Sequence, residues 1–299
     1  MRFIYSSRYQ ADYGPHVFPI EKYRLVADAL RRSGIPEAAF VEPNPATREQ
    51  LLRVHTERYL DDLENCRRTP RTDSSELPLT KEIIDLFVLS CGGTILAAER
   101  ALNEGSAVHI GGGFHHAFAE KAEGFCYLND LAVAIRAMQT QRNITKAMVI
   151  DCDLHQGNGT ARIFQGDESV FTFSIHQECL YPIKEKSDLD IHLPDGIGDD
   201  QYLEHLKRSV PSILDEFRPE LILYQAGVDP YERDQLGDLK LTIAGMFERD
   251  RFVLRCAKQR RIPIAVTLGG GYAHDVRDTV KMHVNTCLAT CELSKFASP

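Results

Sequence analysis

No apolar stretch of this 299-residue chain reaches the ~18 residues that a membrane-crossing helix requires. The opening segment, MRFIYSSRYQADYG, lacks the apolar core and small-residue cleavage site of an export signal. The eight cysteines form no CxxC pair and no framework spacing, so reduced thiols in a cytoplasmic protein are expected, mostly as small buried hydrophobes. A basic excess is missing too. Lys and Arg total 35 against 43 Asp and Glu, a net charge of −8, which argues against a nucleic-acid partner. An acidic balance instead suits a cationic substrate, such as a lysine-rich segment or a polyamine. GGG occurs twice and GNG once. Neither a G-x-G-x-x-G fingerprint with an acidic residue ~20 positions on nor a phosphate-binding G-x-x-x-x-G-K-[ST] is present. There is no internal repeat and no low-complexity tract.

What is present is an alternation. The segments 2–6, 107–110, 147–153, 170–176, 221–227 and 262–268 are short apolar runs of the kind buried on both faces of a sheet. Between them, 21–34, 83–102, 128–141 and 199–217 have helical period, and Gly34 is a helix-stop signal. This pattern predicts an α/β fold with a mostly parallel central sheet and helices on both sides, spanning residues 1–299 as a single domain. Residues 65–80, polar and with two prolines, read as a surface loop near the pocket.

The unusual residues cluster just after the expected strands: GGGFHHA (111–117), DCDLHQGNG (151–159), Val228-Asp229 and GGGYAHD (269–275). Parallel open sheets bind ligands at their carboxyl ends, so four such ends predict one shared site. Asp151, Asp153 and His155 are two apart. If extended geometry continues through them, they share a face that can hold a cation. Asp153 and His155, with Asp229 as the natural third ligand, would leave a position open for water, the arrangement of a catalytic zinc site. The bland alternative is that both aspartates cap the next helix and His155 lies on the surface. His115 and His116 each need a partner to fix a tautomer, and Asp151 and Asn158 are the candidates. Tyr272, after three glycines, is placed to donate to an oxyanion.

These motifs, with GFCYLND (124–130), SIH (174–176), AGVD (226–229), LGDL (236–239), HVFP (16–19) and VHTERYL (54–60), resemble the histone deacetylase family in their order. The match spans roughly residues 1 to 280. The HQGNG wording, the compact length and LGDL followed by AGMFERD lean toward class IV. The resemblance implies a three-layer α/β/α arginase–deacetylase fold. It implies that one zinc ion is held by Asp153, His155 and Asp229. It makes His116 the general base and later acid, with His115 an electrostatic partner backed by Asp151, and Tyr272 the oxyanion donor. Gly124, Phe125 and Tyr181 would line a narrow tunnel for the acyl-lysine stem, with Leu236 near its metal end. Asp151 and Ser174 would help to hold a potassium ion. Class I members carry Asp where this chain has Asn158. The rim aspartate that grips the substrate backbone in class I has no aligned counterpart, although Asp73 lies in the right region.

The implied activity is zinc-dependent hydrolysis of N-acyl-lysine amides on proteins or peptides. Class IV resemblance favours long fatty-acyl chains, which would need apolar room beyond the metal, and the small residues Gly111, Gly112, Gly113, Gly269, Gly270 and Ser7, with Tyr13 nearby, are candidates to leave it. Three alternatives stand beside this reading. An acetylpolyamine amidohydrolase would share the chemistry but usually carries an inserted loop. A ureohydrolase would use two manganese ions and further carboxylates. A catalytically inactive acyl-lysine-binding protein would lack one of the required residues.

Overall fold

A computed structural model describes residues 1–142 and 144–294. Its strands are β1 (Arg2–Ile4), β2 (Phe40–Val41), β3 (Ser106–His109), β4 (Ala147–Asp151), β5 (Val170–Gln177), β6 (Leu189–Leu193), β7 (Leu221–Gln225) and β8 (Ile264–Thr267). They form one sheet in the order β2-β1-β3-β8-β7-β4-β5-β6. Every pairing is parallel. Each residue of β3, β4, β7 and β8 is buried, which is why these strands read as apolar runs rather than as alternations.

The helices are α1 (Lys22–Arg32), α2 (Arg48–Leu52), α3 (Glu57–Glu64), α4 (Pro70–Asp73), α5 (Lys81–Glu104), α6 (Asp130–Gln141), α7 (Asn158–Phe164), α8 (Asp199–Phe217), α9 (Ile243–Gln259) and α10 (Val276–Ser294). They fall into two layers. In one, α5 packs on α6 and against β1, β3 and β8. In the other, α8 packs on α9, α9 on α10 and α10 on α1. No described helix is long and apolar enough to cross a membrane.

Several elements differ from expectation. β2 and β6 lie at the two edges of the sheet; β2 is only Phe40 and Val41, and β6, LDIHL, alternates apolar and polar residues instead of forming an apolar run. The segment 65–80 contains the short helix α4, anchored when Arg71 pairs with the buried Asp62. The strand expected over 147–153 ends at Asp151, because the Asp151 carboxylate accepts from the Asp153 N–H at 3.1 Å and turns the chain. Of the eight cysteines five are buried, and none forms a disulfide.

A polar row closes the carboxyl edge of the sheet. His109 pairs in register with Thr267, Thr267 with Gln225, Gln225 with Asp151, and Asp151 with Ser174. All five are buried polar residues. β3 and β4 are consecutive in the two-layer wrap but are separated in the sheet by β8 and β7. That reversal opens a crevice above the strand ends, the place where such sheets bind ligands.

Candidate active site

The loops that follow β3, β8, β7 and β4 meet over this crevice, so the four Gly-rich or acidic strand ends belong to adjacent strands. Asp153 and His155 come from the β4 loop, and Asp229 from the β7 loop. One donor atom from each lies within 4.8 Å of the others, and all three residues are buried. His155 Nδ1 is 3.2 Å from Asp229 Oδ2 and 3.4 Å from Asp153 Oδ1. The carboxylates are braced from behind. Leu154 N–H donates to Asp229 Oδ1 at 3.0 Å, and Gly270 N–H donates to Asp153 Oδ2 at 3.0 Å. Burial alone would lower the His155 pKa, but hydrogen bonds to Asp153 and Asp229 raise it to about 10. Burial and the Asp153 carboxylate push Asp229 up to about 6. Both directions describe a dry pocket whose negative potential favours a positive charge.

Asp153 and His155 do not share one extended face with Asp151, because the strand ends there. That residue turns instead to the histidine pair, and accepts from His115 Nδ1 at 2.6 Å. The Nε2 atoms of His115 and His116 are 3.1 Å apart. His116 Nδ1 lies 2.8 Å from Asn158 Oδ1. Burial tends to lower the His115 pKa, but Asp151 and Asp153 outweigh it and bring the value up to about 9. His116 goes the other way. Burial and the positive potential of His115 and His155 hold it well below the usual range, and thus neutral. Two adjacent imidazoles with opposite shifts suit one charged group and one base.

Tyr272 is buried beside this group. Its backbone N–H donates to Asp234 Oδ2 at 2.7 Å, and its carbonyl accepts from Gln235 Nε2 at 2.7 Å, so the Gly-rich turn is pinned rather than loose. A narrow cavity of about 20 Å³ is lined by Gly124, Phe125, His115, His116, Asp153, His155 and Tyr272, among others. Phe125 forms one wall. Its ring packs at 6.0 Å from Tyr272 and 4.6 Å from His16. Phe125 has φ +63°, a left-handed backbone conformation that costs a non-glycine residue about 1–3 kcal/mol. Its N–H donates to Ser75 O at 2.8 Å, which ties the wall to the segment just after α4. Tyr181 is exposed and is not among the residues lining the cavity, but its ring lies edge-on 5.5 Å from His116. At Gly124 a Cβ would meet His116 and the Tyr181 hydroxyl within 3 Å, so only glycine fits between them. Leu236 is not among the residues lining the cavity; it is partly buried in the turn that Asp234 closes. Asp73 ends α4, where it pairs with Arg68 at 3.0 Å. Ser174 lies beside Asp151 in register and hydrogen-bonds to His176 Nδ1 at 2.8 Å.

The description of the histone deacetylase domain matches residues 16–287. The chain belongs to the histone deacetylase family. It is similar to an uncharacterized protein of Picosynechococcus, 40% identical over 272 residues that cover 90% of each chain. It is also similar to Histone deacetylase 2 of Arabidopsis thaliana, 34% identical over 285 residues, 90% of this chain and 74% of that one. A crystal structure of the HDA15 HD domain superposes with a TM-score of 0.80 at 22% identity, covering 99% of this chain and 91% of that chain. This likeness gives the arginase–deacetylase fold. Family membership makes the chain a hydrolase of the deacetylase kind.

For a histone deacetylase, the structure adds residues that carry no signal in the sequence. Gln225, the last residue of β7, donates to Gly113 O at 2.9 Å and lies 3.3 Å from Asp153 Oδ2. Lys22 is fully buried and donates to Gly269 O at 2.5 Å, with its ammonium over the Phe18, Tyr23 and Tyr272 rings. Burial pulls the Lys22 pKa down to about 8, against the opposing pull of Asp229 and Asp153. Asp130 accepts from the N–H groups of Gly113 and Phe114 at 3.0 and 2.7 Å, and so shapes the turn that carries the histidine pair. In sequence, Lys22 looks like a solvated helix charge and Gln225 like the end of a strand, so neither stands out locally.

Proposed function

We propose that this protein hydrolyses the amide of acetylated lysine side chains in proteins or peptides, as one catalytic unit spanning the chain, with a single zinc ion held by Asp153, His155 and Asp229. The observation that carries the reading is the meeting of that buried Asp-His-Asp group with a hydrogen-bonded His115–His116 pair, with Asp153, His155, His115 and His116 all lining one narrow cavity. One imidazole and two carboxylates, braced by backbone N–H groups, would suit a zinc ion in type and number. Zinc bound there supplies Lewis acidity toward a carbonyl oxygen and a water.

The chain's own residues supply the rest. Neutral His116 takes a proton from the attacking water and returns it to the departing lysine amine. His115, held by Asp151, keeps positive charge next to the developing oxyanion. Tyr272 donates its hydroxyl to that oxyanion. Gly124 and Phe125 form walls suited to an apolar lysine stem, with the Tyr181 ring beside His116. Asp151 and Ser174, register neighbours, are the proposed side-chain ligands of a potassium ion.

Acetyl is favoured over long acyl chains because the cavity that Gly112, Gly113, Gly269 and Gly270 help to line is only about 20 Å³. A Cβ at Gly113 or Gly269 would strike Gln225, one at Gly112 would strike Asp130, and one at Gly270 would strike Asp153 and Asp229. Each of these glycines is thus required by a close approach of its backbone to those side chains. The class IV leaning is kept as a subgroup assignment and does not decide the acyl chain.

The test is kcat/KM for zinc-loaded protein on matched peptides carrying acetyl-, octanoyl- and myristoyl-lysine, with an acetylated polyamine beside them. Acetyl-lysine should be the best substrate. Turnover of the polyamine alone, of long chains alone, or of nothing would reject the reading in favour of a polyamine amidohydrolase, a defatty-acylase or an acyl-lysine-binding protein respectively.

A further inference from the structure

The chain of contacts behind His116 does not end at Asn158. Asn158 Nδ2 donates to Glu123 Oε1 at 2.7 Å, with the Ile183 carbonyl at 3.5 Å as a weaker second acceptor. Glu123 sits one residue before Gly124, which lines the cavity, and it also pairs with Lys121. An amide can present either its oxygen or its nitrogen to a neighbour, but a carboxylate only accepts. The Glu123 carboxylate therefore forces Asn158 to turn its NH2 outward and its Oδ1 toward His116. An oxygen facing His116 Nδ1 forces that nitrogen to carry the proton. The lone pair of His116 is then left on Nε2, beside His115 Nε2 and on the ring that lines the cavity.

We infer that Glu123 is a positioning residue for the deacetylase reaction: by fixing the direction of the Asn158 amide it sets His116 in the tautomer whose Nε2 acts as base. The donors then run consistently from both ends. Asp151 accepts from His115, and Glu123 accepts from Asn158, so a carboxylate terminates each side of the histidine pair. The negative charge that a carboxylate next to His116 would supply is displaced by one amide, onto Glu123. An aspartate at 158 would instead set two carboxylates against each other at the present 2.7 Å contact.

This inference rests on the proposed function for its consequence in catalysis, but its structural half can be read without turnover. Zinc-loaded protein labelled with ¹⁵N-histidine should show His116, assigned by difference from His116→Ala, with a protonated Nδ1 and an unprotonated Nε2. In Glu123→Ala the two nitrogens should move toward averaged shifts. In the same variant kcat should fall about tenfold, the scale of an outer hydrogen-bond partner, with KM within twofold. Asn158→Asp alone should also lose activity, and adding Glu123→Ala should restore part of it, a reversal of sign that a purely structural role does not give. If Glu123→Ala unfolds, Glu123→Gln, which can accept or donate, should show the averaged shifts. An unchanged His116 spectrum in a folded Glu123 variant would overturn the inference, as would additive losses in Asn158→Asp and Glu123→Ala. Failure of the wild type to cleave acetyl-lysine, with the tautomer as stated, would instead reject the function.

Discussion

The guanidinium of Arg249, fully buried on α9, donates from Nη1 to the main-chain oxygen of Gly227 at 2.7 Å. The same nitrogen reaches Cys152 O at 3.0 Å. Cys152 lies between Asp151 and Asp153, and Gly227 lies two residues before Asp229, so one cation holds both loops that carry the proposed metal ligands. Its charge is met by Asp250 at 2.8 Å, which in turn accepts from Tyr224 and Thr286.

Arg249→Leu would leave Asp250 buried without its cation and two carbonyls without a donor. The loss of stability should be about 3–5 kcal/mol, the scale for breaking a buried ion pair. Arg249→Lys should recover only part of it, because a single ammonium cannot serve both carbonyls and Asp250 with the same planar fork. Urea unfolding of the zinc-loaded proteins measures this. A change below about 1 kcal/mol in Arg249→Leu would mean that the loops hold themselves, since that is no more than one ordinary hydrogen bond contributes.

Asp153→Asn and Asp229→Asn should each purify with well under one equivalent of zinc, because each replaces a charged ligand in a site where both carboxylates face His155. Elemental analysis is the measurement. A full equivalent in either variant would remove that residue from the ligand set.

The sequence made the site legible because its residues are odd for where they stand: paired histidines, repeated aspartates and triple glycines at the ends of apolar runs. It did not reveal what holds them. Arg249 sits in an amphipathic helix, Gln225 closes a strand and Glu123 precedes a glycine, and none of these is locally unusual. Their partners Gly227, Gly113 and Asn158 are 22, 112 and 35 residues away in sequence. Only the sheet order, which sets β3, β8, β7 and β4 side by side, brings such pairs together. The edge strands β2 and β6 escaped for a related reason. β2 is only two residues long, and β6 alternates apolar and polar residues where the inner strands are continuous apolar runs.

Tyr272→Phe should fold and bind zinc as the wild type does, since the turn is held by its backbone contacts to Asp234 and Gln235 rather than by the phenol. kcat on acetyl-lysine peptide should fall by about 10²–10³, the cost of one oxyanion donor. A fall of less than threefold would show that the hydroxyl does not reach the reacting carbonyl.

Acid should weaken the fold through His55, which is fully buried and bridges two backbone groups. Its Nδ1 lies 3.1 Å from Phe118 O, and its Nε2 accepts from Asn129 N–H at 3.1 Å. Only the neutral ring, protonated on Nδ1, satisfies both contacts. Burial lowers the His55 pKa from 6.5 to about 4. Between those values the unfolded chain binds a proton that the folded one refuses. Stability from this group is therefore intact above pH 6.5, falls as pH drops toward 4, and levels below that. The full loss is about 3.5 kcal/mol at most, taking roughly 1.4 kcal/mol per pH unit over the 6.5-to-4 interval. In His55→Gln the amide can donate to Phe118 O and accept from Asn129 without titrating. The variant should be less stable than the wild type or equal to it at about pH 7, and should gain on it steadily from pH 6.5 to 4. Urea unfolding across that range gives the difference directly, since other buried histidines such as His109 contribute equally to both proteins. If the two stability curves run parallel, His55 is not the group that makes the fold acid-sensitive.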